Sequence, residues 1–300
     1  MNRNHLHGLS WFWLVAGLLA LLTPSAAAAT RVLIVTGLSG EAQFVEPFAA
    51  QARDLQSAFV GTGARVTLLD ESQASREAVA DALAEAADGL KAEDRLVFVY
   101  IGHGSYDGRD FRFNLPGPDV RARELDEWLD AIAAWQLLIV ASSASGAVLE
   151  VLADERRTLM TATRSGDQSN VTVFGSYLAA ALEDHAADLN KDQQLSVQEV
   201  FDFAQRSVAD HYQQRRLMAT EHPQLVNPRA LFTMSRLQPL PQDPALVELL
   251  TRRDEIEASI AALKDQKSSL SSEDYFSQLQ QLLLDLALLQ QQLDAGEGSL

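Results

Sequence analysis

Three hundred residues, 47% of them hydrophobic, are enough to bury one main domain core and leave an appendage. Forty-one acidic side chains against 24 Lys and Arg give a net charge of −17, which argues against nucleic acid and anionic membrane surfaces as partners, since both are polyanions. The chain has no cysteine, so disulfide bracing and thiol chemistry are excluded.

Residues 1–29 read as a targeting segment. Arg3 supplies a positive start, Leu9–Leu22 (LSWFWLVAGLLALL) an apolar run, and Ala27-Ala28-Ala29 a small-residue cleavage site. The run is shorter than the ~20 residues a span needs. Cleavage and export to the periplasm or the exterior are therefore expected, with a retained anchor as the alternative. Losing Arg3 would take the charge from −17 to −18, and no stable membrane insertion is expected afterwards.

The domain expected over residues 30–236 opens with a strand, Arg31–Thr36, and the turn Gly37-Leu38-Ser39-Gly40. That turn lacks both GxGxxG and a following Lys-Ser/Thr, so it reads as a strand-to-helix turn and not as a phosphate cradle. A helix over Ala42–Val60, a strand over Arg65–Asp70 and an alanine-rich helix over Ala74–Leu90 follow. Such alternation is the mark of a parallel sheet with right-handed crossovers. Next comes RLVFVYIGHGSYDG, residues 95–108. Leu96–Ile101 reads as a strand buried on both faces, and Gly102-His103-Gly104 stands at its carboxyl end, where α/β sheets gather their ligands.

The segment SYDGRDFRFNLPGPD is too rich in turn residues for regular structure and reads as a rim loop, with Asp107, Arg109 and Arg112 beside the site. A helix over Arg123–Ala133 leads to QLLIVASSASG, residues 136–146, a second buried strand ending in small residues. Two such strands bring His103 and the Ser142–Ser145 turn to one sheet edge.

These two stretches resemble the legumain-like cysteine peptidases, which share the caspase fold. In that family a His-Gly pair follows one strand, and a Cys within Ala-Cys-x-Ser-Gly follows the next. His103-Gly104 matches the first and Ser142-Ser143-Ala144-Ser145-Gly146 the second, which puts Ser143 at the nucleophile position. The resemblance implies a three-layer fold, a mostly parallel six-stranded sheet with helices on both faces. It also implies that the loop after the strand Arg157–Thr163 helps form a substrate pocket, where Ser165 and Asp167 are the candidate contacts; Arg109 of the rim loop is a further candidate substrate contact. Glu221-His222-Pro223-Gln224 resembles the segment that closes the family's domain, before a last strand over Ala230–Met234; here His222 reads as structural.

Asp188–Glu199 (DLNKDQQLSVQE), between helices expected over Val173–Asp184 and Val197–Leu217, aligns with a twelve-residue calcium loop. Asp188, Asn190, Asp192, Gln194 through its carbonyl, Ser196 and Glu199 occupy the ligand positions. Gln193 stands where such a loop has glycine. A structural Ca2+ is expected, against the alternative of a capped acidic turn.

Residues 237–245 (LQPLPQDPA) form a proline-rich linker. Residues 246–295 carry two apolar stripes, Leu246, Leu250, Ile256, Ile260 and Leu263, then Leu279, Leu282, Leu286, Leu289 and Leu293. They read as a helical hairpin of coiled-coil character that needs a partner for its apolar face: the domain, a second copy or another protein.

Three functions are open. A pseudopeptidase would keep His103, lack the sulfur and bind protein or peptide partners. A serine hydrolase would use Ser143 and His103, with Asp107 or Asp167 as orienter; Ala141 and Ser145 supply the small flanks of a nucleophile elbow, although glycine is missing and His185, His211 and His222, not His103, follow the serine. A structural module would assemble through the C-terminal helices.

Overall fold

The computed structural model describes residues 28–297 apart from Ala230, Leu240 and Ser268, so all of the expected leader except Ala28 and Ala29 lies outside the described residues. The chain alternates β1 (Thr30–Thr36), α1 (Ala42–Gly61), β2 (Arg65–Leu69), α2 (Arg76–Gly89) and β3 (Arg95–Gly102). Three short strands follow, β4 (Gly104–Tyr106), β5 (Phe111–Phe113) and β6 (Val120–Arg121), then α3 (Ala122–Asp130) and β7 (Trp135–Ser142). After a tight turn come α4 (Val148–Val151), β8 (Arg157–Thr161), α5 (Phe174–Ala181), β9 (Gln194–Ser196), α6 (Val197–Arg215), β10 (Gln224–Val226) and β11 (Thr233–Arg236). Two long helices close the chain, α7 (Pro244–Asp265) and α8 (Ser272–Glu297).

The main sheet has six strands in the order β10-β8-β7-β3-β1-β2. All neighbours are parallel except the edge pair β10 and β8. Side chains alternate between faces along each strand. Val97, Val99 and Ile101 of β3 join Ile34, Leu137 and Ile139 under α1, α5 and α6. Leu96, Phe98 and Tyr100 join Leu33, Val35, Leu138 and Val140 under α2 and α3. The continuous apolar runs follow from this burial on both faces.

Two expectations need correction. The stretch read as an irregular rim loop folds into an antiparallel three-stranded sheet, β4-β5-β6. Phe111 and Phe113, buried and edge-to-face with each other at 4.9 Å, hold it against the core. The sixth strand of the main sheet is Gln224–Val226 and not Ala230–Met234; β11 pairs instead with β9 in a separate ribbon.

Asp243 caps α7 by accepting the Ala245 N–H at 2.9 Å, with Pro244 in the first turn. Helix α7 packs with α8, burying Leu246, Ile260, Leu263, Tyr275, Leu289 and Leu293. It is latched to the ribbon: the Asp254 carboxylate accepts from Gln194 Nε2 at 2.6 Å and Arg236 Nη2 at 3.1 Å. A cavity of about 430 Å³ between α7 and the amino ends of β1, β2 and β3 is lined by Thr30, Arg65, Arg95, Thr251 and Asp254. The long helices thus sit at the end of the sheet opposite His103. Among the described residues no helix is long and apolar enough to cross a membrane.

Candidate functional site

Register brings the two sequence motifs together. In the β3–β7 pair Gly102 stands beside Ser142, so His103 and Ser143 leave adjacent parallel strands at the same level. The backbones then meet: Ser143 Oγ donates to Gly104 O at 2.9 Å and accepts from Gly104 N at 3.3 Å. A side chain at position 104 could not coexist with this contact, because its Cβ would come within 2.6 Å of Ser143 O. Gly104 is therefore a spacing residue, and Ser143, 5% exposed, is held beneath it.

The imidazole of His103 is half-buried and wedged edge-on between Phe44 (5.4 Å) and Phe48 (5.5 Å) of α1. Its Nε2 lies 3.0 Å from Ser39 O. A carbonyl can only accept, so Nε2 carries a proton and, of the two neutral tautomers, the contact selects the Nε2–H form. Ser39 is itself clamped by Glu71, whose carboxylate accepts from Ser39 Oγ at 2.7 Å and Ser39 N at 3.2 Å. Behind the motif the buried Tyr100 hydroxyl donates toward His103 O (2.8 Å) and Asn114 O (2.9 Å), and burial pushes that phenol well above its ordinary pKa. Among the described residues no hydrogen bond joins Ser143 Oγ to the His103 ring, and no carboxylate stands behind it.

The turn after β7 is tight. Ala144 adopts φ 56°, an unusual conformation for a side chain with Cβ, and its N–H donates to Gln168 O at 2.8 Å. Ser145 and Gly146 are tied to Thr163: Thr163 N donates to Ser145 Oγ (3.1 Å), and Gly146 N donates to Thr163 Oγ1 (2.8 Å). Gln168 extends the network, accepting Arg164 N–H through Oε1 (2.9 Å) and donating through Nε2 to His222 Nδ1 (2.6 Å). His222 is thus a hydrogen-bond acceptor in the wall. Its neighbour Glu221 caps α5, accepting from Val173 N (2.8 Å), Phe174 N (3.2 Å) and the Tyr212 hydroxyl (3.1 Å); burial pushes its carboxyl up.

The other candidates lie around the rim. Ser165 O accepts from Thr163 Oγ1 at 3.2 Å, while Asp167 and Arg109 are exposed. Asp107 serves its own loop, accepting from Arg109 N (3.0 Å), Asp110 N (2.9 Å) and Arg112 Nη2 (2.7 Å); the two backbone N–H groups hold its carboxyl below the ordinary value. Ser39, Glu71, Phe44, Phe48 and Gln168 were not legible as site residues. The signal that could have found them is the β1 turn, since the strand next to β3 must also end at this edge.

In the loop expected to bind calcium, Asp188 accepts from Asp192 N (3.2 Å) and Gln193 N (3.1 Å), and Asp192 accepts from Gln194 N (2.8 Å). Asn190 accepts from Asp192 N at 3.0 Å. Glu199 accepts from Leu189 N (3.0 Å), Ser196 N (3.0 Å) and Ser196 Oγ (2.8 Å), closing a capping box at the start of α6. Lys191 (φ 64°) and Gln193 (φ 65°) are both left-handed, so the backbone makes the sharp bend without glycine. Burial pushes the Asp192 carboxyl up. Among the described residues no group of three or more His, Cys, Asp or Glu side chains is arranged to hold a metal ion.

No family model matches the chain, and no curated protein matches it. Among solved structures it is similar to a crystal structure of a Geobacter sulfurreducens protein, with 16% identity over 72% of this chain and 96% of that one and a TM-score of 0.44. It is also similar to caspase-1 of Spodoptera frugiperda (10% identity, 67% and 87% covered, TM-score 0.47) and to the Drosophila initiator caspase Dronc (10%, 66% and 79%, 0.45). At these scores the likeness carries no argument.

Proposed function

We propose that this chain is an exported homologue of the legumain-like, caspase-fold peptidases that binds protein or peptide partners and does not cut them. The observation that carries the reading is how His103 is oriented: by the neutral carbonyl of Ser39 and, among the described residues, by no carboxylate. A thiol near neutrality needs only a modest shift to ionise beside an imidazole. A serine hydroxyl must lose its proton during attack, and the imidazolium that forms then needs a carboxylate behind it. Here the hydroxyl of Ser143 donates to Gly104 O instead. The edge suits a sulfur nucleophile, and an oxygen stands in its place. Ser165, Asp167 and Arg109 would then contact a bound peptide at the rim.

A Ser143–His103 hydrolase is the second reading, favoured by the left-handed Ala144, which makes a strained turn like that of a nucleophile elbow. Labelling with a fluorophosphonate probe separates the two. Binding without catalysis predicts no labelling of the purified chain. Labelling abolished by both Ser143→Ala and His103→Ala would overturn it in favour of the hydrolase.

We also propose that Asp188, Asn190, Asp192, Gln194, Ser196 and Glu199 take a structural Ca2+. The left-handed Lys191 and Gln193 support this, because they bend the loop where a calcium loop bends. When bound, the ion would brace the ribbon that holds α7 and would take no part in the chemistry at His103.

A further inference from the structure

Helix α8 carries large apolar residues both on a buried face and outside it. Tyr275, Leu279, Leu282, Leu286, Leu289 and Leu293 recur at three- and four-residue spacing, and Tyr275, Leu289 and Leu293 are buried where α8 packs with α7. At 100° per residue that face is centred roughly opposite Leu284. Outside that face Phe276 (60% exposed), Leu283 (48%), Leu284 (51%) and Leu288 (59%) are open to solvent, spread over about 140° of the helix circumference at 100° per residue. From Phe276 to Leu288 the stripe runs about 18 Å, or three turns of helix. Gln280 and Gln291 share this sector, but four exposed large apolar side chains within about three turns of one helix make a larger patch than singly scattered leucines do.

Charge selects the occupant. From Ser272 to Asp294 the helix carries Glu273, Asp274, Asp285 and Asp294 and no Lys or Arg. Glu273 precedes Phe276 by less than one turn, Asp294 follows Leu288 by less than two, and Asp285 lies along one margin, so acid frames the stripe at both ends. A second copy of the same helix would set these carboxylates against one another, and an anionic lipid surface would be repelled by a chain of net charge −17.

We infer that the outer face of α8 docks a basic amphipathic helix of another protein, an apolar stripe of about three turns flanked by Lys or Arg. The surface lies at the end of the sheet opposite His103, so this inference stands or falls apart from the reading of that edge.

The test uses the full chain and two synthetic 18-residue helical peptides, one of Leu and Lys and one of Leu and Glu with the same apolar pattern. Binding is followed by fluorescence anisotropy at physiological salt. The Leu/Lys peptide is expected to bind and the Leu/Glu peptide not to bind. A Leu284→Ser/Leu288→Ser double variant, which keeps every charge, should weaken binding at least about tenfold while its thermal midpoint stays unchanged, because both side chains are solvent-exposed. Glu273→Gln/Asp294→Asn should weaken it and flatten its salt dependence. Equal binding to wild type and the leucine variant would mean simple charge attraction and overturn the inference. So would an absence of Leu/Lys binding. A dimer in sedimentation equilibrium that the leucine variant dissociates would overturn it too, since a second copy would then cover the face.

Discussion

The ring of His103 hands its Nε2–H to the carbonyl of Ser39 at 3.0 Å, and Ser39 is held by the carboxylate of Glu71 at 2.7 Å. Glu71 thereby positions the imidazole through a backbone group while placing no charge against it. Two-bond ¹H–¹⁵N spectra should show His103 as the Nε2–H tautomer. In Glu71→Ala the ring should lose this single tautomer, and a spectrum unchanged from wild type would remove Glu71 from the account.

The proposal that Ser143 stands where a peptidase would carry sulfur makes a prediction about a thiol placed there. The chain has no cysteine, so Ser143→Cys carries a single reporter. Where the thiol passes its proton to the His103 imidazole, the resulting imidazolium stabilises the thiolate, and its rate of alkylation by iodoacetamide should titrate about one pH unit below the ordinary thiol value near 8.5. Adding His103→Ala should return it to that value. Titration at or above 8.5 with His103 present would show that the two side chains do not communicate.

Gln193 occupies a left-handed position at φ 65° where glycine is at ease. Gln193→Gly should stabilise the chain by about 0.5–1 kcal/mol in chelator, because strain relief exceeds the added chain entropy. If the loop takes Ca2+, calcium should raise the thermal midpoint of the wild type and of this variant, and Glu199→Gln should abolish that rise. A midpoint indifferent to calcium in all three proteins would leave the loop a capped turn.

Glu221 carries a pH dependence of stability. Burial raises its carboxyl pKa in the folded chain above the ordinary 4.5. The folded state therefore holds the proton more tightly than the unfolded one, so this stabilisation is complete below pH 4.5 and is lost as pH rises through the folded value. Urea midpoints should show that decline in the wild type, and Glu221→Gln should lack it. The same slope in both proteins would assign it to another group.

Arg157 is buried at the start of β8, where it meets Asp126 and Asp130 at 2.5 Å each and donates to Gln136 Oε1 at 3.1 Å. Stranding this charge should cost more than removing it. Asp126→Ala/Asp130→Ala is expected to cost about 3 kcal/mol, and Arg157→Met, which leaves only the two carboxylates that solvent reaches, about 1 kcal/mol. Denaturant unfolding of both variants would decide, and the reverse order would contradict this account.

Much of the architecture is local and could be read from the chain alone. Apolar runs at Arg31–Thr36, Leu96–Ile101 and Gln136–Ala141, separated by helical periodicities, determined a mainly parallel sheet and put His103 and Ser143 at the carboxyl ends of neighbouring strands. The Asp243-Pro244 helix start was equally legible, since capping is a matter of adjacent residues. The tertiary structure decided what depends on residues far apart in the chain. It set Gln224–Val226 and not the later segment at the sheet edge, folded the residues after His103 into an antiparallel sheet around Phe111 and Phe113, and joined His103 to Ser39 across 64 positions. Periodicity and capping report on neighbours within a turn or two of the chain. Which carbonyl a buried imidazole finds, and where a serine hydroxyl sends its proton, follow from how strands are ordered and helices packed. Only the folded chain specifies that.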